Sequence, residues 1–182
     1  KQCLEKKYFE NKKNVNWKEV KTIGIISKKN TQGYNDFIEQ LILPIKLILF
    51  EIKLEGAETS FQCMKAIDNL QNNCDLIIII RGGGSTSEIS NSFDDIKLFE
   101  CMKNSQIPII TAIGHDADKD DKLVITQVSD LNFSTPSTAC FEIRNEIISK
   151  FINYFTNYID ELNDRIENII EKNKVNLYDK LN

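Results

Sequence analysis

The run of residues 75–85, with the sequence DLIIIIRGGGS, restricts the possible folds of this chain more than any other feature. Four consecutive isoleucines after a leucine are too few for a membrane span and too rich in β-branched side chains for a stable helix. Such a run is typical of a strand that is buried on both faces, in the middle of a parallel sheet. An arginine and three glycines follow at its carboxyl end, where open α/β sheets bind their ligands.

The loop after this strand has the composition of an anion-binding loop. Gly82, Gly83 and Gly84 carry no side chains, so the backbone N–H groups of residues 82–85, Ser85 included, can approach an anion closely. Arg81 adds a planar guanidinium that is permanently charged. We therefore expect this loop to bind phosphate, although a tight turn with a solvated arginine stays open as the simpler alternative.

The spacing of the loop excludes two common nucleotide-binding motifs. A dinucleotide fingerprint would place a third glycine at position 87, which is Ser87. A P-loop requires lysine after its last glycine, and no lysine occurs between Arg81 and Lys97.

Strand-like and helix-like patterns alternate four times before residue 114. The expected strands are at 21–27, 45–54, 75–81 and 107–113, and the expected helices are one that ends before Pro44, one at 57–72 and one at 93–103. This order predicts βαβ units with right-handed crossovers. The predicted fold class is therefore α/β, a Rossmann-like and mostly parallel sheet with flanking helices.

A second polar loop, at residues 114–121, follows the expected fourth strand. Its sequence, GHDADKDD, contains His115, the only histidine of the chain. Because neighbouring parallel strands end at the same edge of a sheet, this loop should lie beside Arg81. Histidine is the side chain best suited to move a proton near neutral pH, so His115 is a candidate catalytic residue.

Metal binding by this second loop is a separate possibility. A calcium loop would need glycine at position 121 and glutamate at position 127, where the chain has aspartate and glutamine. A magnesium site built from Asp116, Asp118 and Asp120 stays open. With one histidine and no Cys-x-x-Cys pair, the usual zinc sites are excluded.

Composition indicates one globular core with an appendage. The chain has 182 residues, of which 41% are hydrophobic and 27% charged, and a net charge of −4, which argues against a purely electrostatic grip on nucleic acid. Five cysteines without paired spacing predict reduced thiols and a cytoplasmic location. Neither a signal peptide nor an apolar span of membrane length is present, so we expect no membrane association.

The character of the chain changes at Thr135. Thr135 is suited to cap a helix and Pro136 to occupy its first turn, and neither glycine nor proline follows, so one helix of about 46 residues, or ~69 Å, is predicted. Apolar residues then alternate spacings of four and three at Ile148, Ile152, Phe155, Ile159, Leu162, Ile166 and Ile169. This heptad seam predicts a coiled coil with a partner helix. Folding of the seam back onto its own domain is the alternative.

Several ordered motifs resemble one family. Arg-Gly-Gly-Gly-Ser, then Ile-Gly-His-Asp-x-Asp, then Thr-Pro-Ser at the start of a long helix resembles the large subunit of exodeoxyribonuclease VII. Shorter segments at 8–12, 25–37 and 54–57 also resemble that family. Asp116 departs from the pattern, because glutamate is common there, and the segment between residues 114 and 135 is a few residues longer than usual.

The resemblance implies hydrolysis of single-stranded DNA to short oligonucleotides. It implies a connector with a short helix at 1–20, a catalytic α/β domain at 21–134 and the start of a coiled-coil arm at 135–182, with the family's upstream OB-fold expected to be absent from this chain. The arm would bind a small helical subunit and support self-association through the C-terminal helix.

The resemblance also implies a set of site residues, which carry over as Asp36, Arg81, His115 and Asp118. His115 would act as general base or acid, Asp118 would orient its ring, and Asp36 would be a second acid–base group or would orient water. No obligatory cofactor or metal is implied, and stimulation by magnesium stays open.

Three hydroxyl side chains are candidates for further hydrogen bonds to phosphate: Ser27, Thr135 and Ser137. Two other functions also fit the residues. One is a Rossmann-like enzyme acting on a phosphorylated small molecule, and the other is a non-catalytic assembly scaffold built on the long helix.

Overall fold

The computed structural model describes residues 8–114 and 123–181, with the side chains of the last helix described up to residue 174. Five parallel strands form one sheet in the order β2-β1-β3-β4-β5. The strands are β1 (Thr22–Ser27), β2 (Lys46–Glu51), β3 (Leu76–Arg81), β4 (Ile109–Ile113) and β5 (Leu131–Phe133). The predicted parallel α/β sheet is therefore confirmed.

Six helices are described around and beyond this sheet. They are α1 (Gln32–Gln40), α2 (Thr59–Leu70), α3 (Thr86–Phe93), α4 (Ile96–Asn104), α5 (Val124–Val128) and α6 (Pro136–Leu181). Helices α1 and α6 cover one face of the sheet, and α2 to α5 cover the other face.

The central strand β3 is buried along its whole length. Ile77 and Ile79 belong to the core layer under α2 to α5, whereas Ile78 and Ile80 belong to the layer under α1 and α6. Because successive side chains of a strand point to opposite faces, only a strand covered on both sides needs an unbroken apolar run. The isoleucine run therefore results from the central position of β3, which is covered on both faces.

The direction of winding changes between β1 and β3. The chain passes from β1 through α1 to β2 on one side, then returns through α2 to β3 on the other side of β1. Right-handed crossovers in opposite directions place α1 and α2 on opposite faces. The loops that leave the carboxyl ends of β1 and β3 therefore run to opposite faces and leave a crevice between them. Doubly wound sheets bind their ligands in such a crevice.

The connector that precedes β1 is attached to the other end of the sheet. Asp130, which is 5% exposed, accepts hydrogen bonds from the backbone N–H of Lys13 and of Ile109, both at 2.8 Å, and its carboxylate lies 3.1 Å from Lys13 Nζ. Tyr8 packs edge-on against Phe99, with ring centroids 6.5 Å apart. The described part of the connector is thus held on the domain by buried polar and aromatic contacts.

The structure contains three elements that were not predicted: β5, α3 and the short helix α5. Strand β5 was not predicted, because it has only three residues at the sheet edge and none of them is fully buried. The helix expected near residues 93–103 is α4, and α3 precedes it as a separate helix. Asp95 ends the continuity by capping α4, where its carboxylate accepts a hydrogen bond from Lys97 N at 2.8 Å.

Helix α6 is one continuous helix with two environments. Its hydroxyl cap is the predicted one, because Thr135 Oγ1 accepts a hydrogen bond from Thr138 N at 3.1 Å. The inner segment of α6, residues 136–147, packs Ala139, Cys140, Ile143 and Ile147 into the core, whereas Phe141 is exposed. In its outer segment, residues 148–181, six of the seven heptad positions are exposed, for example Ile166 at 54%, and Leu162 is partly buried. The seam does not fold back onto the domain.

None of the helices in the described ranges combines the length and the apolarity that a membrane crossing requires.

Candidate active site

A cavity of about 600 Å³ opens at the carboxyl ends of β1 and β3. Five chain segments form its walls: the start of α1, the turn after β2, the glycine loop after β3, Gly114 after β4 and the start of α6. The lining residues are Thr31, Gln32, Gly33, Asp36, Leu54, Glu55, Arg81, Gly82, Gly83, Gly114, Thr135, Pro136 and Ser137. The cavity therefore lies at the crevice that the strand order creates.

Close backbone packing sets the width of the cavity. A Cβ atom on Gly33 would lie 3.0 Å from Gly82 N and 3.0 Å from Pro136 Cγ. Only glycine at position 33 lets α1, the glycine loop and α6 approach this closely. Gly114 lies on the other side of the loop, where an added Cβ would be 3.6 Å from Gly83 N.

The start of α1 presents uncapped amides to the cavity. The hydroxyl of its N-cap residue, Thr31, donates to Lys28 O at 2.8 Å and does not accept a hydrogen bond from the first turn. Gln32 and Gly33, in that first turn, line the cavity. First-turn N–H groups have no partner within the helix and carry the positive end of its dipole, so they favour an anion.

Arg81 lies beneath the glycine loop and is only 3% exposed. Its Nη1 donates to Gly83 O at 3.1 Å and more weakly to Gly82 O at 3.4 Å, and its Nη2 lies 3.5 Å from a carboxylate oxygen of Glu55. Within the described residues, the buried Nε has no hydrogen-bond partner. The guanidinium thus organises the loop from below and has little surface of its own in the cavity.

This arrangement fixes the direction of the loop amides. In a trans peptide the C=O and N–H groups point in opposite directions. Since the carbonyls of Gly82 and Gly83 turn toward the guanidinium, the N–H groups of Gly83 and Gly84 turn away from it. Neither amide donates to another described residue. Arg81 therefore supplies both a positive charge under the loop and the orientation of amides that can bind an anion.

Two carboxylates stand on the cavity walls. Asp36, in the second turn of α1, is half-buried and makes no hydrogen bond or ion pair with any described residue. Glu55 is largely exposed, with 78% of its side chain accessible, and it is the carboxylate that pairs with Arg81. An unpartnered carboxylate beside an anion-binding surface is suited to accept a proton or to orient a water molecule.

The structure separates the other predicted phosphate ligands into two groups. Ser137 and Thr135 line the cavity, although the Thr135 hydroxyl is occupied as the cap of α6. Ser27 is fully buried and its hydroxyl donates to Ile80 O at 3.0 Å, so it does not reach the cavity. Gly84 and Ser85 do not line it either. Ser85 is the N-cap of α3, where its hydroxyl accepts a hydrogen bond from Glu88 N at 3.3 Å.

The second predicted loop cannot be placed in the same way. His115, Asp116, Asp118 and Asp120 lie outside the described residues. Gly114, which precedes His115 in the chain, lines the cavity. Among the described residues, no group of three or more His, Cys, Asp or Glu side chains could hold a metal ion.

Sequence reasoning did not select the start of α1 or Glu55 as parts of the site. The strand order of the sheet is the feature that could have indicated both. In a sheet with this strand order, the loops that follow β1 and β2 open at the same edge as the loop that follows β3.

Comparison with known proteins gives one consistent result. The family model described as "Exonuclease VII, large subunit" matches residues 8–181. The exodeoxyribonuclease 7 large subunit of Yersinia enterocolitica is 33% identical over 135 residues, which are 70% of this chain and 28% of that protein. The proteins of the same name from Hamiltonella defensa and Serratia proteamaculans are each 33% identical, over 72% and 65% of this chain and over 30% and 26% of their own lengths.

The chain thus spans less than a third of the length of these curated relatives. The family model nevertheless matches the sheet, every wall of the cavity and the whole of the long helix. With a family model aligned over residues 8–181, the chain belongs to the exonuclease VII large-subunit family.

Proposed function

We propose that this chain carries the catalytic site of an exonuclease that hydrolyses single-stranded DNA to short oligonucleotides. The observation that carries the proposal is the cavity between β1 and β3, where uncapped helix amides, a glycine loop and an unpartnered carboxylate meet. Such a site suits one phosphodiester group with its charge. Membership of the exonuclease VII large-subunit family supports DNA as the bearer of that group.

Phosphate binding is the first step of the proposed mechanism. The first-turn amides of α1 and the amide of Gly83 hold the non-bridging oxygens, with the Ser137 hydroxyl as a further donor. Arg81 stabilises the charge that develops on those oxygens through its electrostatic field and through the loop it orients. Donors fixed before the reaction need no reorganisation in the transition state.

Proton transfer completes the reaction. A water molecule attacks phosphorus and loses its proton to a base, the bond from phosphorus to the leaving oxygen breaks, and an acid returns a proton to that oxygen. We assign these roles to His115 and Asp36, with Asp118 orienting the His115 ring. No metal is obligatory in this scheme, and Asp116, Asp118 and Asp120 are the carboxylates that would bind magnesium if it participates.

The outer segment of α6 is the proposed assembly surface. Its exposed heptad seam suits a partner helix, and the designation of the relatives as large subunits supports a small subunit as that partner. A second copy of this chain is the other partner that the seam suits.

The test uses the complex of the full-length protein with its small subunit. Release of short oligonucleotides from end-labelled single-stranded DNA is followed in EDTA and in magnesium. We expect His115→Ala and Asp36→Asn each to reduce the rate by about 10²–10⁴-fold, as removal of a general acid or base does. Asp68→Asn, at an exposed aspartate on α2, is the matched control and should retain the full rate.

Each result has a defined meaning. Activity in EDTA that His115→Ala removes supports a metal-independent site. Activity that requires magnesium makes the aspartates of residues 116–120 the expected ligands. Absence of activity in both conditions, or full activity in Asp36→Asn and His115→Ala, overturns the proposal.

A further inference from the structure

A second cavity, of about 350 Å³, lies between the connector and α6. The proposed mechanism uses none of its residues. Three aromatic side chains line it: Trp17 from the connector, and Phe151 and Tyr154 from the start of the outer segment of α6. Its volume is at the lower end of the range for small-ligand pockets, too small for a docked helix and suited to flat ring systems.

The three rings are available for stacking. Phe151 is 54% exposed and Tyr154 is 66% exposed, whereas Trp17 is half-buried against the core. Among the described residues, the only ring that contacts any of the three is Phe155, which lies edge-on to Tyr154 with the ring centroids 5.8 Å apart. Trp17, Phe151 and Tyr154 therefore border an open space without filling it through mutual packing.

The polar residues of this cavity are cationic or neutral. Among its described lining residues only Lys18 and Lys150 are charged, and neither forms an ion pair with a described residue. Asn153 and Asn157 add side-chain amides, the groups that form paired hydrogen bonds with nucleobase edges. In a chain with a net charge of −4, this is a local excess of positive charge beside exposed aromatic rings.

The second cavity lies on the same face of α6 as the first. Pro136 at the candidate active site and Tyr154 here are separated by about five full helical turns, or ~27 Å. Between the two cavities this face of α6 is buried in the core at Ala139, Cys140, Ile143 and Ile147, so an extended polymer that reaches both runs over the outer surface of the domain. A small phosphorylated molecule cannot bridge the two.

We propose that the second cavity is a stacking subsite for single-stranded nucleic acid, which holds a base of the strand at a distance from the bond that is cleaved. Aromatic platforms with flanking lysines are the common means of binding single strands without sequence preference. This inference rests on the proposed function, from which it takes the substrate, and it adds a second binding site for that substrate.

The test measures binding of a fluorescein-labelled oligothymidylate by anisotropy. All variants are made in the full-length protein with its small subunit and in a His115→Ala background, so that cleavage does not consume the probe. We expect Phe151→Ala and Tyr154→Ala each to raise the Kd by about tenfold, which corresponds to a loss of about 1.4 kcal/mol in binding free energy. Tyr154→Phe should retain wild-type affinity, because stacking needs the ring and not the hydroxyl.

Matched controls lie on the same helix. Phe141 has nearly the same exposure as Phe151, 52% against 54%, but does not line the cavity, so Phe141→Ala should leave the Kd unchanged. Lys150→Gln should reduce the slope of log Kd against log salt by about 0.7, the value for one phosphate contact on a single strand. Lys172→Gln should not change that slope.

The outcomes separate this inference from the proposed function. Affinity within about twofold of wild type in both Phe151→Ala and Tyr154→Ala overturns the subsite. In that case, cleavage by the protein with His115 restored would leave the proposed function standing. Weakened binding without any cleavage in the restored protein supports the subsite and overturns the proposed function. A change in the mass of the complex with unchanged affinity identifies a protein interface and overturns the subsite.

Discussion

At the scale of single residues, Arg81 and Gly84 together determine the shape of the cavity floor. Arg81 is almost fully buried, and its guanidinium lies directly against the backbone of Gly84. The planar guanidinium can donate to several carbonyls at once. The loop therefore depends on the absence of a side chain at Gly84 as much as on the presence of Arg81.

Gly84→Ala should destabilise the protein. An added Cβ would lie 2.8 Å from Nη2 and 2.9 Å from Cζ of Arg81, so the buried guanidinium must move. Overpacking of this kind costs about 1–3 kcal/mol in the free energy of unfolding. Gly83→Ala is the control, since its Cβ would meet no atom of the described residues within 4 Å, and its cost should stay within about 0.5 kcal/mol. Urea unfolding measures both, and equal values would contradict this account of the loop.

Glu55→Gln should tighten the binding of an anionic strand. Glu55 places a carboxylate beside Arg81 at the cavity, where it repels phosphate. Because Glu55 is largely exposed, the effect is modest, up to about fivefold in Kd at low salt. Anisotropy with the labelled oligothymidylate measures the change. Glu58→Gln, which removes an exposed carboxylate outside the cavity, should not alter the Kd, and weaker binding by Glu55→Gln would show that Glu55 assists the substrate.

At the scale of elements, sequence patterns predicted the strands that are buried on both faces. They missed the elements that depend on local packing and capping. The apolar runs of β1, β3 and β4 are needed by any strand enclosed on both faces, so these strands were predictable. Strand β5 and the break between α3 and α4 depend on a sheet edge and on one capping aspartate, Asp95. For the site, the glycine loop could be predicted from its composition. The turn of Arg81 beneath that loop could not, since it follows from the packing of Gly84.

The division of α6 leads to a stability prediction. Ile143 is fully buried in the core, whereas Ile166 is an exposed seam residue. Ile143→Ala should lower the free energy of unfolding by about 2–5 kcal/mol, through lost burial and a cavity. Ile166→Ala should change domain stability by no more than about 0.5 kcal/mol. The fluorescence of Trp17, the only tryptophan of this chain, reports on unfolding. Equal effects of the two changes would place the seam within the domain core.

At the scale of the whole molecule, thiol chemistry limits stability at high pH. The described cysteines, Cys63, Cys74, Cys101 and Cys140, are free thiols. Burial raises the pKa of Cys63 from 9.0 to about 12 and that of Cys101 to about 11. A thiol whose pKa is higher in the folded state keeps its proton there, while the unfolded chain loses it. The stabilising contribution is complete below pH 9 and decreases as the pH rises toward the folded-state pKa.

Cys63→Ala should therefore make stability less dependent on alkaline pH. Between pH 9 and about 12, the free energy of unfolding of the wild type should fall more steeply than that of the variant, by about 1.4 kcal/mol per pH unit. Denaturant unfolding across this pH range measures the difference in slope between wild type and variant. The titrations of lysine and tyrosine cancel in this difference because both proteins contain the same lysines and tyrosines. Parallel curves would show that Cys63 ionises equally in both states.

Because only its inner segment is buried, the length of the outer segment of α6 sets a distance from the domain. The core ends at Ile147 and the second cavity at Asn157, so residues can be added to or removed from the helix beyond Asn157 without disturbing the sheet or either cavity. Insertion of one heptad would move everything beyond it outward by about 10 Å and rotate it by only about 20°. The distance between the cavity and whatever the seam binds is thus set by a residue count alone, in steps that evolution or a designer can change one heptad at a time.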